Sequence, residues 1–204
     1  PFVSTFHALG VHIIKENARM LGIPRHFNIF DRSDSVKAIR QSMEQLGIDA
    51  KQFEPSRILS MISKEKGSGV SFAEFDSMDK HDFVRSIVKK VWEKYEVVLA
   101  ENKALDFDDL LLKTLNLLKE NQSVREKYSS VWEYIHIDEY QDTNMVQYQI
   151  AKLLAEKHKN ICVVGDIDQS IYSWRGADFK NITRFEKDYH EAKVIILEQN
   201  YRST

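Results

Sequence analysis

Apolar positions fall in two rhythms along this chain. Three short runs rich in Ile and Val, "YIHID" (134–138), "ICVVGD" (161–166) and "KVIILE" (193–198), read as β-strands, with a weaker fourth, "FVSTF", at 2–6. Between the first three lie "MVQYQIAKLLAEKH" and "ADFKNITRFEKDY", both with helical periodicity. Strands alternating with helices predict βαβ units and a parallel sheet, which binds ligands beyond the carboxyl ends of its strands. Residues 7–133 keep the other rhythm and read as nearly all helix. Phe83, Val84, Ile87, Val88, Val91, Trp92, Tyr95, Val98 and Leu99 form one wide stripe at helical spacing within 79–104. "FDRSDSVKAIRQSMEQLGI" reads as a capped helix ending at Gly47, and "EPSRILSMISKEKGSG" as another closed by Gly67 and Gly69. "LDFDDLLLKTLNLLKEN" follows with the same periodicity. The expected fold class is α/β, a parallel sheet with a large all-helical insertion after the first strand. "KEKGSGVS" is the one candidate for a flexible linker.

The chemistry gathers at strand ends. In "YIHIDEYQDTN" (134–144) a hydrophobic strand stops at two adjacent carboxylates, Asp138 and Glu139. Mg²⁺ takes hard oxygen ligands and needs only one or two protein carboxylates beside substrate phosphates, a role that fits Asp138. Glu139 can polarise a water for attack on phosphorus. Helix capping by Asp142, Thr143 or Asn144 accounts for one of those three residues but for neither Asp138 nor Glu139. "VVGDIDQSIYSWRGAD" (163–178) likewise starts as a strand, then sets Asp166, Asp168 and Gln169 close to Tyr172, Trp174 and Arg175. Such a stretch suits a nucleotide on one side and a nucleic-acid strand on the other. Stacking on Tyr172 or Trp174 would be tolerant of sequence, because every base has a π-face. Trp92 and Trp132 read as core residues; the neighbours of Trp174 (Ser173, Arg175, Gly176) point to exposure. His136, between Ile135 and Ile137, reads as a core histidine.

Composition narrows the class. The 204 residues carry 29 basic and 31 acidic side chains, a net charge of −2. That disfavours coating of nucleic acid through a global basic field, so any such binding must be local. No apolar run approaches the roughly 20 residues of a membrane span, and no signal peptide opens the chain. The single cysteine, Cys162, sits in an apolar run and reads as a small buried side chain in a cytoplasmic protein. Strand-like residues close to both ends suggest a piece cut from something longer.

Together these motifs resemble the UvrD/Rep/PcrA helicases of superfamily 1. "IDEYQDTN" is similar to their DExx box, "VVGDIDQSIYSWRGAD" to motif III, "ILEQNYRST" to motif IV and "STFHALGVHIIK" to motif Ib; "ALDFDDLL" is similar to a further short motif. Five in the family order cover essentially the whole chain. The resemblance implies a RecA-like P-loop NTPase sheet, with residues 1–7 and 104–204 in its 1A portion and 8–103 in a helical 1B subdomain. It implies an ATP-dependent 3′-to-5′ DNA helicase or translocase that uses Mg²⁺ and acts on single-stranded DNA and junctions with duplex. Asp138 would hold Mg²⁺ and Glu139 activate the hydrolytic water. Gln169 would sense the γ-phosphate, Tyr201 lie against the adenine and Arg202 reach the γ-phosphate. Tyr172, Trp174 and Arg175, with Thr5, Phe6 and His7, would contact DNA.

One family element has no counterpart. No G-x-x-x-x-G-K-[ST] occurs in the 204 residues; the "GSG" at 67–69 is followed by Val70. The resemblance places that Walker A segment before Pro1 and a second RecA-like domain after the chain, both in the remainder of a parent. The 204 residues alone are therefore expected to hydrolyse no ATP. Two rivals carry the same motifs: a helicase subunit of a RecB- or AddA-like nuclease complex, and a non-catalytic interaction module built on the fold.

Overall fold

The computed structural model describes residues 1–78, 82–166, 180–197 and 199. The chain begins without regular structure, and helix α1 (Phe6–Glu16) starts where Thr5 accepts the Ala8 N–H on its hydroxyl. The strand expected at 2–6 is therefore absent. A threonine that satisfies a free helical N–H favours the cap, and no neighbouring strand competes for the segment among the described residues.

A block of four helices follows strand β1 (Asn28–Phe30): α2 (Arg32–Gln45), α3 (Pro55–Gly67), α4 (Phe72–Ser77) and α5 (Phe83–Glu101). Local chemistry sets their starts. Asp31 with Asp34 and Ser71 with Glu74 form capping boxes, and Pro55 occupies the first turn of α3, where its missing N–H costs nothing. The predicted stripe of α5 buries Val88, Val91, Trp92, Tyr95, Val98 and Leu99 against Ile39, Met43, Ile58 and Ile62, while Phe83 is left exposed. Trp92 is fully buried between the rings of Phe72 and Phe75, at centroid distances of 5.8 and 5.1 Å. The linker expected at 64–71 is instead the end of α3: the helix runs through Gly67, and Lys66 is buried there.

Strand β2 (Ala104–Asp106) pairs in parallel with β1, Asn28 opposite Ala104 and Phe30 opposite Asp106. It leads directly into α6 (Phe107–Glu120), whose N-cap is Asp106. Helix α1 lies on α6. A methyl group on Gly10 would sit 2.5 Å from the Leu110 carbonyl oxygen, so the contact needs glycine. Ile13, Leu111, Leu115 and Leu118 form a second core with Tyr128 of α7 (Gln122–Val131) and Val146, Ile150 and Leu154 of α8 (Met145–Leu154). Trp132, expected in a core, is half-buried and stacks on Tyr128 at 5.1 Å.

The third layer carries the strand-end motifs. Strands β3 (Ile135–Ile137) and β4 (Ile161–Val163) pair in parallel with α8 as the crossover, as their spacing predicted. Ile137, Tyr140, Tyr148 and Ala151 pack there with Phe185 of α9 (Lys180–Asp188). His136 and Cys162 stand opposite one another in this ladder and are both exposed, contrary to the buried positions expected for them. Side chains alternate along a strand, and Ile135 and Ile137 take the face that packs on the core. The strand expected at 193–198 does not form over its described part. Residues 193–197 have no regular structure, and Val194, Ile195, Ile196 and Leu197 are exposed. A parallel strand is stable only with a ladder partner and covered faces, and this run has neither among the described residues. Among the described residues the chain is thus a mixed helix and strand structure with two small parallel sheets. No helix among the described residues is long and apolar enough to cross a membrane.

Candidate active site and nucleic-acid face

Asp138 and Glu139 leave the carboxyl end of β3 exposed to solvent. The Asp138 Oδ1 accepts the Glu139 N–H at 2.9 Å. Glu139 has φ 50° and ψ 44°, a left-handed conformation that costs a non-glycine residue roughly 1–2 kcal/mol. The chain turns there into a short 3-10 segment, Tyr140–Asp142. That turn is stitched to the exit of β4: the Val164 N–H donates to the Ile137 carbonyl at 2.8 Å, and the Tyr140 N–H to the Val164 carbonyl at 2.9 Å. Side chains add a second tie. Gln141, buried, donates from Nε2 to Glu139 Oε2 at 2.7 Å and accepts the Asp166 N–H on Oε1 at 3.1 Å. Strained backbone held by redundant bonds is common where geometry serves chemistry.

The capping alternative holds for Asn144, which forms a capping box with Gln147 at the start of α8. It leaves Asp138 and Glu139 unexplained. Asp142 Oδ1 is buried without a hydrogen-bond partner among the described residues. Beyond the turn, the buried Asn181 of α9 donates to the carbonyls of Thr143 and Asn144, at 2.9 and 3.2 Å. Asp166 and Asn181 are therefore both bonded to the segment 139–144. Gln169, Tyr172, Trp174, Arg175, Tyr201 and Arg202 lie outside the described residues.

Thr5, Phe6 and His7 come together at the start of α1. Phe6 packs on the Ile137 and Tyr140 cluster, so this helix terminus lies against the layer that bears Asp138. Burial lowers the pKa of His7 below the usual histidine value, against the opposing pull of Asp108. Its ring meets Phe107 edge-on, 5.4 Å between centroids. Phe107 is 47% exposed at the first position of α6, a place the sequence motifs do not mark as a contact. The signal available in sequence was an aromatic just after the capping Asp106 and off the buried stripe of Leu110, Leu111 and Leu115.

Beneath this corner lies a charge cluster with no forewarning in the sequence. The Lys66 ammonium contacts Asp109 at 2.8 Å, Asp106 at 3.0 Å and Glu96 at 3.2 Å, and the Tyr95 hydroxyl donates to Asp106 at 3.0 Å. Burial alone would lower the lysine's pKa, but the carboxylates of Asp106, Asp109 and Glu96 outweigh it and hold the ammonium well above its ordinary value. Burial, reinforced by the Asp109 charge, pushes Asp106 up to about 6. Asp109, equally buried, is kept below the usual carboxylate range by Lys66 and Lys113.

Residues 1–190 match the UvrD/REP helicase N-terminal domain, and the chain belongs to that family. It is 47% identical over 203 residues to the ATP-dependent DNA helicase PcrA of Staphylococcus epidermidis (strain ATCC 35984). The proteins of that name from Staphylococcus aureus strains Mu50 and NCTC 8325 are also 47% identical. Each alignment covers 100% of this chain but 28% of the relative, so the chain spans under a third of their length.

Proposed function

We propose that the whole protein is an ATP-dependent DNA helicase, coupling nucleotide hydrolysis to 3′-to-5′ movement on single-stranded DNA in the cytoplasm and opening duplex at junctions. One observation carries the reading: Asp138 and Glu139 are displayed at a parallel-strand end, in a strained, doubly tethered turn, in a chain of the helicase family. Glu139 acts as general base toward the attacking water. Asp138 suits Mg²⁺, since it offers exposed hard oxygen at the strand end and such a site needs few protein ligands. When bound, the ion would neutralise charge on the phosphates. Gln169 and Arg202 report the γ-phosphate, and Tyr201 holds the adenine.

The DNA face comprises Thr5, Phe6, His7, Tyr172, Trp174 and Arg175, to which the exposure of Phe107 beside His7 adds one aromatic. Residues 1–7 and 104–204 form the RecA-like 1A portion and 8–103 the helical 1B subdomain. Support comes from the separate core of α2, α3, α4 and α5. Helix α1, at the edge of that division, packs on α6 of the 1A portion. A Walker A segment and a second RecA-like domain in the rest of the protein would complete the nucleotide site. The relatives carry the helicase name without mention of a nuclease, which disfavours a nuclease-complex subunit. The intact corner at Asp138 and Glu139 disfavours a non-catalytic module.

Strand separation tests the reading. The whole protein with ATP is expected to unwind a duplex bearing a 3′ single-stranded tail and to leave a 5′-tailed duplex intact. Unwinding of neither substrate would overturn it.

A further inference from the structure

Gln141 is 1% exposed, yet both ends of its amide are spent at the corner where Glu139 stands. The Nε2 group donates to Glu139 Oε2 at 2.7 Å, and Oε1 accepts the Asp166 N–H at 3.1 Å. Space for that amide is kept by Gly165. A methyl group on Gly165 would lie 2.6 Å from Gln141 Oε1 and 3.3 Å from the backbone nitrogens of Gln141 and Tyr140. The left-handed backbone of Glu139 projects its side chain from an exposed turn, where a free carboxylate would sample several rotamers.

We infer that Gln141 is a positioning residue for hydrolysis, fixing the Glu139 carboxylate through its N–H while its carbonyl ties that group to the exit of β4 at Asp166. The inference rests on Glu139 being the general base. A neutral donor suits this role because it engages one oxygen, leaves Oε1 for water, and orients the carboxylate without cancelling its charge. The planar amide also makes the link rigid. A shift of Asp166, which begins the polar run leading to Gln169, is passed through one side chain to the carboxylate. Misplacement of a reacting group by about 1 Å can cost on the order of a hundredfold in rate.

Two variants of the whole protein test this, with Glu139→Gln run beside them. Gln141→Met keeps the side chain's length, adds no charge at this buried position and withdraws the donor from Glu139. Gly165→Ala leaves Gln141 in place and crowds its Oε1. Each is expected to lower DNA-stimulated kcat for ATP by about tenfold or more while KM for ATP and the thermal midpoint stay near wild type. A Gln141→Met enzyme with wild-type kcat, or one altered in KM alone, overturns the inference, provided Glu139→Gln is inactive. If kcat falls only in proportion to lost folded protein in both variants, Gln141 is structural and the inference is again overturned. An active Glu139→Gln would instead remove the reading beneath it.

Discussion

The Lys66 ammonium lies 2.8 Å from the Asp109 carboxylate, 43 residues along the chain, with the lysine side chain 1% exposed. This contact joins α3 to α6, and the adjoining bonds to Asp106 and Glu96 draw in β2 and α5. The helical block is thereby fixed to the helix whose first residues, Phe107 and Asp108, stand beside His7.

Removing the cation strands three carboxylates. Lys66→Met should cost about 3–5 kcal/mol, the usual penalty for leaving buried charge without its partner. Denaturant unfolding of the two proteins measures it. A loss under about 1 kcal/mol would mean that the cluster is open to water, contrary to its burial.

The same cluster has a pH signature. Asp106 is pushed up to about 6, so folding favours its protonated form. Its contribution is fully present below the unfolded carboxylate value and is lost as pH rises through about 6. Asp109 runs the opposite way: its pKa is lowered, so its contribution is present above the ordinary value and lost as pH falls through the depressed one. Between pH 4 and 7 the stability of the wild type relative to Asp106→Asn should therefore decline, with a slope of at most about 1.4 kcal/mol per pH unit. Unfolding free energies at several pH values check this; a difference that rises over that interval contradicts it.

Trp174→Ala in the whole protein should weaken single-stranded DNA binding by roughly 1–3 kcal/mol, equally for poly-dT and mixed sequence. The loss should barely change with salt. Arg175→Ala should instead flatten the salt dependence, because a phosphate-facing charge has gone. Fluorescence anisotropy with labelled oligomers at two salt concentrations separates the two. Wild-type affinity of Trp174→Ala would place that side chain in a core.

Much of the fold was legible where neighbours in sequence decide it. The stripe of α5, the end of α2 before Gly47 and the β3–α8–β4 unit all rest on periodicity and local caps. Strands β1 and β2 were not legible: three residues each allow no alternation, and "ALD" ran straight into a helical pattern. Nor was the role of Lys66, because "KEKGSG" has a linker's composition; only the folded chain brings Asp106 and Asp109 to its ammonium. His136 and Cys162 alternate as strands require, but which face is covered depends on distant helices. At the candidate site, Asp138 and Glu139 were readable as acids ending an apolar strand. Gln141 was not, because its two bonds exist only once β3 and β4 lie side by side.

ATP turnover by the whole protein carrying Glu139→Gln tests the central claim most directly. The amide keeps the side chain's shape and removes its basicity, so nucleotide binding should persist while DNA-stimulated kcat falls by roughly 10²–10⁴-fold. Asp138→Ala, assayed alongside, should weaken Mg²⁺-dependent nucleotide binding itself. If Glu139→Gln turns over ATP at the wild-type rate, or both variants show the same small effect, Glu139 is not the base and the corner at the end of β3 is not the hydrolytic site.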